Sequence, residues 1–193
     1  MKVSLIYIIN NTNNINAKLN DFKILLKKEK YEIILINNGI NSNLNKYYEN
    51  DPEHLKIINL SKSFSYSMAL MSGINNCQGN LIISLNDMYN FNLKTINNYF
   101  NEINTNCDQI IIYNEIKKNL LNQGLTTIGC WIMQDNVKNA LKYLYERKEN
   151  INFKNIGFNT KAIIDENINI IEDKCKDDFY LIKSKLGFEE SIL

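Results

Sequence analysis

Apolar residues run almost unbroken through positions 3–9 and again through 31–36. β-Branched runs of this length predict strands buried on both faces. Between them Ile15, Leu19, Phe22 and Leu26 recur at helical spacing, and the lysines that follow suit the negative end of a helix dipole. Asn37-Asn38-Gly39 signals a turn. A short helix is expected around 44–49, stopped by Asp51-Pro52. Positions 56–60 read as a third strand and 67–75 as a helix, and Gly79 marks the turn into a fourth strand at 81–85.

The second half is less regular. Residues 93–103 read as a helix, and 109–113 and 126–133 as strands. Val137, Leu141 and Leu144 mark another helix. Short strands are expected within 158–164 and 169–171. A closing amphipathic helix at 177–186 would carry Phe179, Ile182 and Leu186 on one face. Strand and helix in alternation predict an α/β domain with a mostly parallel central sheet and helices on both faces. Ligands of such sheets sit beyond the carboxyl ends of the strands. Loops 10–14, 37–42, 61–67 and 86–92, all polar, are therefore the candidate rim.

A chain of 193 residues without repeats or a linker fits one domain. Its net charge of +1 gives no field that would gather nucleic acid or an anionic membrane. Asparagine makes up about one residue in six, but apolar periodicity continues through the Asn-rich stretches, so they do not read as a prion-like tract. Cys77, Cys107, Cys130 and Cys175 are widely spaced and His54 is the only histidine, which argues against zinc. His54, beside Asp51 and Glu53, reads as part of a surface turn, and Trp131 as core. No signal peptide and no apolar run of about 20 residues is visible, so a cytoplasmic protein with reduced thiols and no transmembrane segment is expected.

The strand ends carry a series of short motifs. The first strand runs into Ile9-Asn10-Asn11-Thr12 and the second into Asn37-Asn38-Gly39-Ile40. Lys62 and Phe64 follow the third, then come Gly73 and Gly79-Asn80, and the fourth ends in Asn86-Asp87-Met88. Further on stand Gly129-Cys130-Trp131-Ile132-Met133, Leu144-Tyr145-Glu146-Arg147 and Ile156-Gly157-Phe158-Asn159-Thr160. This series resembles the family 2 glycosyltransferases, especially the polyprenyl- and dolichyl-phosphate sugar transferase branch. The resemblance spans nearly the whole chain. It implies one GT-A-like domain, the fold of nucleotide-diphospho-sugar transferases. Residues 1–92 would be its nucleotide-binding half and 93–193 a shortened acceptor half.

Set against that family, six acidic positions are neutral here: Thr12, Asn37, Asn38, Asn80, Asn86 and Met88. The last two occupy the Asp-X-Asp metal motif. Carboxylates there hold a hard divalent cation against the diphosphate. An amide brings no charge and a thioether is a poor ligand for magnesium or manganese. The resemblance thus implies no cofactor in this chain, the family's metal having lost its ligands, and it identifies no catalytic base. The candidate nucleotide-binding residues it implies are Asn11, Asn37, Asn38, Lys62, Asn86 and Asp87. Asp87, one place beyond Asn86, is expected to point to the opposite side. The simplest role of the amides is to cap turns and satisfy loop backbone; contact with a ligand is the other.

Two functions follow. One is a degenerate, non-catalytic glycosyltransferase-like protein linked to glycan biosynthesis, which binds a nucleotide or nucleotide-sugar weakly in a remnant cleft, or else a glycan or a partner protein. The other is an active inverting transferase in which a carboxylate deprotonates the acceptor hydroxyl. With a short acceptor half, apolar surface at Trp131, Phe179, Ile182 and Leu186 needs a cover, and a homodimer is expected.

Overall fold

The computed structural model describes residues 2–11, 14–64, 66–87, 89–90, 93–115, 126–147, 160–164 and 169–170. In chain order these form β1 (Lys2–Ile9), α1 (Ile15–Leu26), β2 (Lys30–Asn37), α2 (Asn45–Asn50) and β3 (Leu55–Asn59). Next come α3 (Tyr66–Asn76), β4 (Leu81–Asn86), β5 (Tyr89–Asn90), α4 (Leu93–Asn106) and β6 (Gln109–Glu115). The last described elements are β7 (Thr126–Gln134), α5 (Asp135–Arg147), β8 (Thr160–Ile164) and β9 (Asn169–Ile170). Seven strands form one sheet in the order β3-β2-β1-β4-β7-β6-β8. β7 is antiparallel to its neighbours β4 and β6, and every other pairing in this sheet is parallel.

The apolar runs of β1, β2 and β4 are continuous because both of their faces are covered. Val3, Leu5, Tyr7 and Ile9 of β1 point to the face packed by Leu19 and Phe22 of α1 and by Phe100 and Ile103 of α4. Ile6 and Ile8 point to the other face, against Leu70 and Ile74 of α3 and Val137 and Leu141 of α5. The helical stripe Ile15, Leu19, Phe22 and Leu26 is wholly buried, and Phe22 meets the Tyr7 ring edge-on with centroids 5.0 Å apart.

At the amino end of the strands a buried carboxylate ties the layers together. Glu32 accepts hydrogen bonds from the Ser4 hydroxyl, the Gln78 N–H and Lys56 Nζ, each at 2.6 Å. Gly79 donates its N–H to the same Ser4 hydroxyl at 2.7 Å. Any side chain at Gly79 would press into the Ser4 backbone, so the crossover into β4 can approach β1 only without one.

Two expectations at the edges of the pattern need comment. Residues 86–92 were expected as open loop, yet Tyr89 and Asn90 pair antiparallel with Ile170 and Asn169. A two-residue strand has no periodicity to read, so only its partner reveals it. The closing helix expected at 177–186 lies outside the described residues. Among the described residues no helix is long and apolar enough to cross a membrane.

Candidate functional site

Parallel registry brings the polar strand ends side by side. Asn37 is level with Ile9, and Asn86 with Ile8. The chain therefore leaves β1, β2 and β4 at adjacent points of one rim, where Asn37, Asn38, Asn86 and Asp87 are all buried. The loop after β3 joins them. Gly39, at φ 79°, lets that loop lie directly on the β2 turn, because a Cβ there would overlap the backbone of Lys62 and Ser63.

A chain of hydrogen bonds runs along this rim. Asp87 Oδ2 accepts from the backbone N–H groups of Asn10 and Asn11 at 2.6 and 2.9 Å. Its Oδ1 accepts from Asn10 Nδ2 at 2.7 Å, and that Nδ2 also reaches Asn86 Oδ1 at 3.1 Å. Asn10 Oδ1 in turn accepts from Asn38 Nδ2 at 2.9 Å. Asn38 completes the chain by bracketing Phe64: its Nδ2 donates to the Phe64 carbonyl and its Oδ1 accepts the Phe64 N–H, both at 2.9 Å. Asn37 works alongside. It donates to Asn59 Oδ1 at 2.9 Å and the Ile40 carbonyl at 3.2 Å, and accepts the Ile40 N–H at 2.8 Å.

Four of the six candidate residues are thus joined by hydrogen bonds centred on Asn10 and Asp87: Asn38, Asn86 and Asp87 through their side chains, and Asn11 through its N–H, while Asn37 holds Asn59 and Ile40 beside them. Lys62 stands apart from this network. It is exposed, with Nζ 5.4 Å from the centre of the Phe64 ring. Asp87 corrects the alternation argument. It was expected to turn away from Asn86, yet both side chains reach Asn10 Nδ2. Alternation holds only within a strand, β4 ends at Asn86, and Asp87 begins the turn. Asn10, the hub, was missing from the candidates. Its signal was present, since it is the first polar residue after an apolar run, as Asn37 and Asn86 are.

Electrostatics at the rim are sparse. Burial, reinforced by the Asp87 charge, holds the Tyr7 phenol far above its ordinary range and so protonated. Cys77, Cys107 and Cys130 are buried and form no disulfide, and burial raises the thiols of Cys77 and Cys130, which leaves neither as a ready nucleophile. His54 lies away from the rim, stacked on Tyr31 and 2.9 Å from Asp51. A cavity of about 110 Å³ lined by Lys23, Tyr47, Asp51 and Leu55 opens beside the amino end of β3, not at the rim.

A divalent metal does not fit the described residues of this rim. Among the described residues no three His, Cys, Asp or Glu side chains gather where an ion could be held. The one carboxylate at the family's motif has both oxygens engaged by N–H donors. A hard cation needs several free anionic oxygens. Met88 and Thr12 lie outside the described residues.

No protein-family model matches the chain, and no curated protein matches it. Solved structures do. The mannosyltransferase PcManGT from Pyrobaculum calidifontis, solved with GDP-Man and Mn2+, superposes with a TM-score of 0.59 at 11% identity. That match covers 89% of this chain and 57% of that one, so the chain spans little more than half the mannosyltransferase's length. The 4-diphosphocytidyl-2C-methyl-D-erythritol synthase of Anaerococcus prevotii superposes with a TM-score of 0.62 at 12% identity, covering 93% of both chains. The fold is GT-A-like. At these identities the likeness is one of fold, and the GT-A-like sheet places the amide rim where α/β sheets bind their ligands.

Proposed function

We propose that this chain is a family 2 glycosyltransferase-like protein, akin to the polyprenyl-phosphate sugar transferase branch, that serves glycan biosynthesis without transferring sugar. Its rim would take a nucleotide or nucleotide-sugar weakly and without metal. One observation carries the reading. At the positions where the resemblance expects acids, the amides of Asn37 and Asn38 spend their donors and acceptors on the protein itself. A diphosphate would then meet Lys62 as the main counter-charge. Neutral hydrogen bonds contribute only about 1 kcal/mol each, too little to stand in for a divalent ion. The expected affinity is about 0.1 mM or weaker, roughly −5 kcal/mol.

Calorimetry with a panel of nucleotides, with and without manganese, tests this. Weak, metal-independent binding or none is expected. Tight binding of one nucleotide only with manganese would overturn the reading in favour of an active inverting transferase, the alternative that the family resemblance implies. The proposal includes a cytoplasmic place of action, supported by the three buried cysteines of the described residues, which form no disulfide. It also includes a homodimer covering the apolar surface that a short acceptor half would leave. Phe179, Ile182 and Leu186 of that surface lie outside the described residues. Light scattering that gives a monomer at high micromolar concentration would remove the dimer.

A further inference from the structure

The hydrogen bonds at the rim have a direction, and Asp87 sets it. An ionised carboxylate only accepts. Asn10 must therefore turn Nδ2 toward Asp87, which leaves its Oδ1 facing Asn38. Asn38 then faces two acceptors, Asn10 Oδ1 and the Phe64 carbonyl, while its own oxygen is taken by the Phe64 N–H. Asn37 is placed in the same way, with two acceptors before its Nδ2 and one N–H before its Oδ1. Both side chains are buried, so water cannot readily replace a lost partner.

We infer that Asn38, seconded by Asn37, is a positioning residue that must donate hydrogen bonds. With Asn10 and Asp87 it forms a metal-free clasp that holds the ends of β1, β2 and β4 together and fixes the loop carrying Lys62 and Phe64. The amide is a requirement of this network and not merely an acid that lost its charge. An acid at position 38 would set carboxylate oxygens against Asn10 Oδ1 and the Phe64 carbonyl and would loosen the rim. The inference is independent of any ligand, so it stands or falls separately from the proposed nucleotide cleft.

The test compares thermal unfolding of the wild type, Asn38→Asp and Asn38→Ala between pH 7.5 and pH 4. Among the described residues the charged groups at this rim are Asp87, after β4, and Lys62, after β3; the other groups facing position 38, at the ends of β1 and β2, are asparagines. Asp87 is common to all three proteins, so only the differences are read. At pH 7.5 Asn38→Asp should melt at least about 5 °C below the wild type. That gap should narrow toward pH 4, because a protonated carboxyl can donate again. The Asn38→Ala gap should stay flat. An Asn38→Asp protein as stable as the wild type, or with a gap as flat as that of Asn38→Ala, would overturn the inference. If Asn38→Asp does not fold, the wild type decides by amide NMR. The Asn38 side-chain NH2 should exchange far more slowly than those of the exposed Asn16 and Asn20; equal rates would overturn the inference.

Discussion

Asp87 illustrates how much one buried charge can organise. Two backbone N–H groups and one side-chain amide converge on it, and nothing else in the network is obliged to accept at every atom. Asp87→Asn removes the charge and forces an amide N–H against a donor, so it should cost about 2–3 kcal/mol, read by urea unfolding. Glu32 holds the opposite end of the sheet. Burial would raise its carboxyl, but hydrogen bonds from Lys56, Ser4 and the Gln78 N–H outweigh burial and keep it below the ordinary range. A lowered folded value means that the stabilisation is fully present above the unfolded carboxyl's midpoint near ~4.3 and is lost as pH falls through the folded value. Glu32→Gln should therefore destabilise the protein by about 2 kcal/mol at pH 7, and its gap to the wild type should shrink at acidic pH.

Elements meet at this rim through a glycine. Gly39 combines a positive φ with the direct contact of the loop after β3. Gly39→Ala should lose about 3 kcal/mol or more, since it adds backbone strain to a steric overlap that backbone atoms cannot relieve cheaply. Denaturant unfolding would measure it, and an unchanged midpoint would show that the two loops part without cost. The main strands and helices were legible because their signals are local: buried β-branched runs for β1, β2 and β4, and a 3.6-residue stripe for α1. β5 was not legible, because two residues carry no period and its partner β9 lies far along the chain.

Seen as a whole molecule, the protein sets a largely neutral rim at the carboxyl end of a GT-A-like sheet. If that rim still takes a nucleotide, nucleoside, monophosphate and diphosphate should bind within about tenfold of one another, because the described residues offer no ligand set for a metal that would supply a second counter-charge. Titration of all three against the wild type and Lys62→Ala checks this. Lys62→Ala should erase what small preference the phosphates show. A diphosphate bound a hundredfold more tightly than its nucleoside would return the chain to the metal-dependent transferases.

Local sequence determined the alternation of strands and helices, the two covered sheet faces and the polar character of the strand-end loops, because each follows from periodicity and short-range turn chemistry. Through the family resemblance it also placed Asn37, Asn38, Asn86 and Asp87 among the candidates. It did not reveal that Asn10 is their hub, that Asp87 turns back toward Asn86, or that the amides face one another. Those facts depend on which strands lie side by side. Sheet order sets residues 10, 38 and 87 together although they stand far apart in sequence, and only their contact in space decides which of them must donate and which must accept.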